Sequence, residues 1–338
     1  MTSKLFASLA LAGVVGLSLN ASASGLAQPG SLLIFPSFDS FRGAKSLVTV
    51  TNTNTDSASG NVKIEYVYIN GANCLETNRT RTLTPGDTIT IVPAADNPNY
   101  QSGYLYVFAK NNTTGAAMSF NHLVGASLTL AAEDSKDYAL APVVYKAIPA
   151  EGANTDLDSD GRRDLNGLEY EQVADELVIP RFLGQAAYGE ETALNDGTAE
   201  SRLVLINLSG GSAFTAVVDM LAWNDNEEAF STNYEFKCWA RVKLADISGI
   251  FLNDFLLTTN HNTNEIFVGN SGVPEIETGW LWINGAIANS TAAIYNDPAI
   301  LAALIEAVGG DSGAELPFGL GEQDNGDLVV HSIFGDNN

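Results

Sequence analysis

The segment Ser46-Leu47-Val48-Thr49-Val50-Thr51-Asn52 carries the pattern that decides the fold, because apolar and polar side chains alternate along it. A period of two places the two valines on one face of a β-strand and the two threonines on the other. β-Branched residues dominate the segment, as they do in strands. The pattern therefore predicts a strand with one buried face and one face toward solvent.

A second copy of this segment lies 155 residues further along the chain, from Ser46 to Ser201, where it reads Ser201-Arg202-Leu203-Val204-Leu205-Ile206-Asn207. This copy is apolar on both faces, so we expect it to be more central or to be covered by the other half or a partner. Four further landmarks recur in the same order in both halves. They pair Leu32–Phe38 with Leu177–Phe182, Ile64–Asn70 with Val218–Asn224, Leu83–Asp87 with Leu244–Asp246, and Gly103–Val107 with Gly279–Ile283. Five landmarks in one order indicate an internal duplication.

Short strands separated by Asn, Gly, Asp and Pro turns fill each half of the chain. This pattern predicts an all-β protein of two tandem antiparallel β-sandwich domains, Ig-like or jelly-roll-like. We place the first sandwich at residues 30–148 and the second at 177–318. Residues 149–176 read as an acidic linker, and residues 319–338 as a polar acidic tail.

One short helix is expected near the end of the second half. Asp297 can cap it, Pro298 suits its first turn, and Gly309 can end it. The apolar residues from Ile300 to Val308 would form the stripe that packs against the core.

The N-terminus is typical of a secretory signal peptide at residues 1–23. Lys4 precedes an apolar run from Leu5 to Leu19, and Ala21-Ser22-Ala23 offers small residues for cleavage. No later segment reaches the roughly 20 apolar residues of a membrane helix, so we expect no membrane insertion. The sequence therefore predicts a secreted protein of the periplasm, cell surface or exterior.

The charge balance is strongly acidic, with 40 Asp and Glu against 16 Lys and Arg and a formal net charge of −24. Nucleic acid is excluded as a partner on this ground, since phosphate binding needs a basic surface.

Two cysteines, Cys74 and Cys238, stand one in each half. An exported protein can keep a disulfide between them, and two buried free thiols are the alternative.

The segment Asp156-Leu157-Asp158-Ser159-Asp160-Gly161-Arg162-Arg163-Asp164 holds the best chemical motif. Alternate carboxylates can converge on one hard cation, a Gly in the sixth place permits a sharp turn, and a backbone carbonyl adds a ligand. The segment resembles the calcium loops of EF-hands and of thrombospondin type 3 repeats. The resemblance implies calcium held by Asp156, Asp158, Asp160, the carbonyl of Arg162, Asp164 and Glu169.

The resemblance breaks at the twelfth position, where the expected Glu is replaced by Gly167. If Glu169 or Glu171 closes the site, the loop is an irregular variant, and if neither does, we expect weak affinity for calcium. Magnesium is less suited, since it keeps several waters and few protein ligands.

Aromatic residues alternate on two equivalent strands, as Tyr104, Tyr106 and Phe108 in the first half and as Trp280 and Trp282 in the second. We expect these side chains to be core, because each sandwich must fill its interior. If they face outward, they form flat platforms that can stack on sugar rings.

Three further segments, Cys74-Leu75-Glu76, Leu83–Thr88 and Phe120–Gly125, resemble landmarks of uncharacterised secreted bacterial β-sandwich proteins. That resemblance implies export and a β fold, and no activity. We expect a non-enzymatic structural or adhesive protein with a calcium-stiffened linker. A carbohydrate-binding module and a secreted hydrolase are the alternatives, and cell-surface polysaccharide or other copies of the chain are the expected partners.

Overall fold

The computed structural model describes residues 27–97, 99–130, 136–185, 199–209, 214–224, 227–258, 277–291, 293–308 and 311–328. The predicted signal peptide at 1–23, the helix-ending Gly309 and the last ten residues of the predicted tail lie outside this range.

The described residues of the first half form nine strands. They are β1 (Leu32–Asp39), β2 (Lys45–Asn52), β3 (Val62–Asn70), β4 (Glu76–Leu83), β5 (Thr88–Ile91), β6 (Ser102–Lys110), β7 (Leu123–Leu130), β8 (Tyr138–Leu140) and β9 (Val143–Tyr145). The short elements between them are a 3-10 turn, Phe41–Gly43, and helix α1, Pro93–Asp96.

The rest of the chain adds twelve strands among the described residues. They are β10 (Arg163–Leu165), β11 (Val173–Leu183), β12 (Ala199–Asn207), β13 (Thr215–Asn224), β14 (Ala229–Phe236), β15 (Trp239–Lys243), β16 (Thr278–Asn289), β17 (Ile294–Tyr295), β18 (Ile300–Val308), β19 (Asp311–Glu315), β20 (Phe318–Asp324) and β21 (Gly326–Leu328). Helices α2 (Leu244–Ile247) and α3 (Asn253–Thr258) flank a 3-10 turn, Gly249–Phe251.

Four main sheets build the molecule, in two pairs with matching strand orders. The orders β4-β3-β6-β1-β9 and β5-β2-β7-β8 in the first half correspond to β14-β13-β16-β11-β20 and β15-β12-β18-β19 in the second. The chain is all-β, as predicted. The prediction of two tandem β-sandwiches is wrong, because the four sheets form a four-blade β-propeller arrangement.

The physical reason for this correction is that two of the four sheets, those that contain β1 and β12, bury both of their faces. In β1, Leu33 packs inside the first half, whereas Ile34 points into a cluster shared with the second half. In β12, Leu203 lies in the second-half core and Ile206 in the shared cluster. Tandem sandwiches would leave such outer faces toward solvent, and here they form a common core. The two-faced apolar pattern of β12 thus reflects both a central position and cover from the other half.

Strand β2 behaves as its alternating sequence predicts. Val48 and Val50 are fully buried. On the other face, the hydroxyls of Thr49 and Thr51 bond across the pair to Thr90 and Thr88, at 2.8 and 2.9 Å. Such cross-strand pairs stabilise an exposed sheet face.

The predicted helix at residues 300–308 is wrong, since this segment is strand β18, paired with β12 along its whole length. All but its last residue are buried. A strand buried on both faces is a continuous apolar run, and such a run has no period that separates it from a buried helix.

The strand pairing is interrupted at the same place in both halves. The pairing of β1 with β6 skips between Phe35 and Phe38, and the pairing of β11 with β16 skips between Ile179 and Phe182. A proline lies inside each gap and cannot donate to the ladder.

A glycine faces each of these breaks. A Cβ on Gly103 would lie 1.9 Å from the carbonyl oxygen of Ile69, and one on Gly279 would lie 2.2 Å from that of Trp223. Only glycine allows this close approach of neighbouring strands.

The acidic segment at 149–176 packs into the shared core. Leu165 and Tyr170 are fully buried in the cluster that joins the halves. Strand β10 pairs with β21, which belongs to the predicted tail, and β20 pairs with β11. This arrangement holds the acidic loop against the body of the molecule.

Candidate metal site and outward tryptophan face

The loop from Asp156 to Asp164 folds through a series of side-chain turns. The backbone N–H of Asp160 donates to Asp158 Oδ1 at 3.2 Å, and that of Arg162 donates to Asp160 Oδ1 at 2.8 Å. Gly161 takes the left-handed conformation, with φ of 82°, that the sixth place of such a loop requires. The sequence motif therefore adopts a tight, locally hydrogen-bonded loop.

Three carboxylates of this region come together in space. Asp156, Asp158 and Glu169 each place one oxygen so that the three atoms lie within 4.8 Å of one another. Glu169 is the most deeply buried of them, at 2% exposure. Its carboxylate accepts the backbone N–H groups of Leu157 and Asp164. These two bonds fix the orientation of the Glu169 carboxylate beside the loop.

Glu169, rather than Glu171, is the acid that joins the two aspartates. The Glu171 carboxylate instead accepts the backbone N–H of Lys146 at 2.9 Å. Burial raises the pKa of Glu169, against the lowering effect of its two backbone hydrogen bonds.

The other predicted ligands lie outside this group of three. Asp160 turns to Arg162, whose Nε lies 3.3 Å from Asp160 Oδ2. Burial raises the pKa of Asp164, and the negative charges of Asp160 and Asp158 raise it further. Asp164 is thus close enough to Asp158 and Asp160 for their charges to raise its pKa.

The hydrogen bonding of the Asp156 carboxylate shows whether a cation fits this group. Its Oδ1 is buried and has no hydrogen-bond partner among the described residues. Its Oδ2 lies 3.5 Å from Nη2 of Arg163, a side chain that also packs over the Phe108 ring. A buried carboxylate oxygen without a partner is costly, and a metal ion removes that cost. The three carboxylates therefore fit a hard cation.

A second carboxylate group combines Asp175, Asp297 and Asp324. Burial raises the pKa of Asp175 and of Asp297, and in each case neighbouring carboxylates raise it further. Sequence reasoning missed this group, because its members come from β11, from β20 and from the loop before β18. Only the pairing of β11 with β20 and the course of that loop bring them together.

Cys74 and Cys238 form a disulfide that connects the halves. Beside it, Trp239 Nε1 donates to the carbonyl of Pro36 at 2.9 Å, and the Arg241 guanidinium pairs with the fully buried Asp39 at 2.9 Å. The contact between the halves is therefore covalent, polar and apolar at once.

The two predicted aromatic stripes differ in their surroundings. Tyr104, Tyr106 and Phe108 are buried, so the core interpretation is confirmed for the first half. It is wrong for the second half, where Trp280 is 37% exposed and Trp282 is only partly buried. The equivalent face of β16 lacks the covering half that buries β6.

The indole rings of Trp223 and Trp280 stack in parallel at 4.0 Å, because their residues are directly paired across β13 and β16. Trp282 follows two residues later on the same face. These three residues are the tryptophan face of the molecule.

Within the described part of the chain, no helix is long and apolar enough to cross a bilayer. The sequence matches no described protein family, and comparison with curated proteins finds no relative.

Proposed function

We propose that this protein is an exported, non-enzymatic structural or adhesive protein in which a calcium ion fastens the acidic loop to the core shared by the two halves. The observation that carries the proposal is the approach of Asp156, Asp158 and Glu169 oxygens to within 4.8 Å of one another, together with the buried Asp156 Oδ1, which has no hydrogen-bond partner among the described residues.

Calcium suits this group better than magnesium does. Calcium accepts six to eight oxygen ligands in flexible geometry, and several protein carboxylates can reach it together. Magnesium demands a strict octahedron and keeps most of its waters. Asp160, Asp164 and the carbonyl of Arg162 stand in the same loop and are the further ligands we assign.

The ion would act on the joint between the halves through the chain that follows the loop. Tyr170 lies in the shared core, and its hydroxyl hydrogen-bonds to that of Thr155 at 3.0 Å. Arg163 packs over the ring of Phe108, which belongs to the same core. Fixing the loop therefore restricts the segment that connects the halves. Export is supported by the disulfide, which persists in oxidising compartments, and by the expected signal peptide.

The test is thermal unfolding of the metal-free protein with and without 1 mM calcium. An ion at about 100 times its dissociation constant adds about 2.7 kcal/mol, which corresponds to a rise of about 2–6 °C in Tm. Asp158→Asn should remove this rise. Asp56→Asn is the matched control, since Asp56 also accepts a loop N–H, from Ala58, but belongs to neither carboxylate group.

An equal rise in Asp158→Asn and in the unmodified protein would contradict the assignment. So would an equal response to magnesium.

A further inference from the structure

The tryptophan face borders a cleft of about 610 Å³ on the outward side of the sheet β14-β13-β16-β11-β20. Trp282 and Leu221, which are cross-strand partners, form its apolar wall. Asp219 and Asn284, the next partners along the same strands, form its polar wall. An apolar wall that contains Trp282 thus passes directly into a row of hydrogen-bonding groups.

Two polar atoms in this cleft lack partners. The Trp282 Nε1–H and the Asn284 Oδ1 are buried and find no hydrogen-bond partner among the described residues. The amide nitrogen of Asn284 faces Glu176 Oε1 at 3.4 Å, which orients the amide. One donor and one acceptor are therefore unsatisfied on residues that line the cleft, and hydroxyl groups can accept from the first and donate to the second.

The negative charge of the cleft favours neutral ligands over anionic ones. Asp219 and Asp297 line it, and its described lining includes no Lys, Arg or His. Asp175 and Asp324 add negative charge beside Asp297. An anionic ligand is repelled here, whereas carboxylates accept hydrogen bonds readily from neutral hydroxyls.

A second copy of the chain fits this face poorly. In a twofold contact the same patch meets itself, so these carboxylates would face one another. Like charges across an interface cost several kcal/mol. A neutral ligand that offers both an apolar face and hydroxyls has no such conflict.

We propose that this cleft and the tryptophan face bind a neutral polysaccharide. A pyranose ring presents a face of C–H bonds, which packs on the electron-rich face of an indole, and a rim of hydroxyls. Trp282 and the outer sides of the Trp223–Trp280 stack contact the sugar rings, and Asp219 and Asn284 bind the hydroxyls. The spread of the face over several side chains suits a polymer of linked sugars.

The experiment is affinity electrophoresis of the full mature protein through gels containing neutral β-glucan, xylan, galactomannan or starch, with alginate as the anionic polymer. We expect retardation by at least one neutral polymer and none by alginate. Trp282→Ala and Asp219→Asn should each weaken the binding about tenfold or more. Asp219 is an exposed side chain, so Asp219→Asn tests the site without loss of folding.

The control is Ile148→Ala, which removes an apolar side chain that is 50% exposed in the first half and should bind normally. No retardation by any neutral polymer would overturn the proposal. Unchanged binding in both Trp282→Ala and Asp219→Asn, or equal binding to alginate, would overturn it too. A dimer that Trp280→Ala converts to a monomer, with no sugar binding, would assign the face to a second copy instead.

Discussion

At the scale of single residues, a cation fits this loop because its carboxylates lack hydrogen-bond partners or compensating positive charge. Asp156 has a buried oxygen without a partner, and Glu169 is buried with a raised pKa although two backbone N–H groups bond to it. Both observations indicate that the negative charge of the metal-free loop is only partly compensated, by the Arg163 guanidinium beside Asp156 Oδ2. A divalent cation would compensate this charge, and calcium is the ion that we propose.

Glu169→Gln removes one charge and keeps the shape of the side chain. We expect the calcium affinity to fall at least about tenfold, since one charged ligand of the site is lost. We expect the metal-free protein to lose some stability. The neutral side chain relieves the repulsion with Asp164, but Gln has one acceptor oxygen for the two backbone N–H groups of Leu157 and Asp164. Isothermal titration with calcium, and urea unfolding in EDTA, measure the two effects.

A calcium affinity equal to that of the unmodified protein would show that Glu169 does not bind the ion.

The second carboxylate group predicts a pH effect. Burial raises the pKa of Asp297, and Asp175, Asp324 and Glu176 raise it further above its ordinary value of 3.8. The folded state therefore holds this proton more tightly. The resulting stability is fully present below pH 3.8 and is lost as the pH rises through the folded pKa.

Asp297→Asn should flatten this fall in the free energy of unfolding as the pH rises. Urea denaturation in EDTA, from pH 4 to pH 7, measures the slope. Asp311→Asn, at an exposed carboxyl outside the group, serves as the control. Curves for Asp297→Asn that run parallel to those of the unmodified protein would contradict this explanation.

At the scale of elements, alternation was a dependable guide and continuous apolar sequence was not. The segment at Ser46 alternates, and β2 follows from it residue by residue. The segment from Ile300 to Val308 resembles a capped helix and forms β18, because cover by β12 and by both cores outweighs its capping residues. The outward position of Trp282 could not be predicted from the sequence either, because the burial of a strand face depends on which sheet packs against it.

Neighbouring side chains on β18 test its two-sided burial. Leu304 packs in the second-half core, and Ile305 packs against Tyr138 and Leu140 of the first half. We expect Leu304→Ala and Ile305→Ala each to lower the free energy of unfolding by about 2–5 kcal/mol. Chemical denaturation measures both. A strand with one face toward solvent would lose less than about 0.5 kcal/mol at one of the two positions.

At the scale of the whole molecule, the duplication was visible as landmarks in the sequence. The sequence also left open a disulfide between the halves and cover of β12 by the other half, but it did not indicate the other contacts that join them. The contacts that join them are the shared core, the disulfide and the Asp39–Arg241 pair. The carboxylates of the metal loop were predicted because they lie close in sequence. The cleft beside Trp282 could not be predicted, since its walls come from strands that are distant in the chain.

The disulfide should stabilise the molecule without being needed to join its halves. We expect replacement of both Cys74 and Cys238 by Ser to cost about 2–4 kcal/mol. Calorimetry should still show one cooperative transition, because the shared core couples the halves. Two separate transitions in the variant would mean that the bridge alone holds the halves together.

The most direct measurement is a crystal structure of the protein grown with calcium. The account predicts an ion with oxygens of Asp156, Asp158 and Glu169 at about 2.3–2.6 Å. It is contradicted if the three carboxylates surround only water or the Arg163 guanidinium at a saturating calcium concentration.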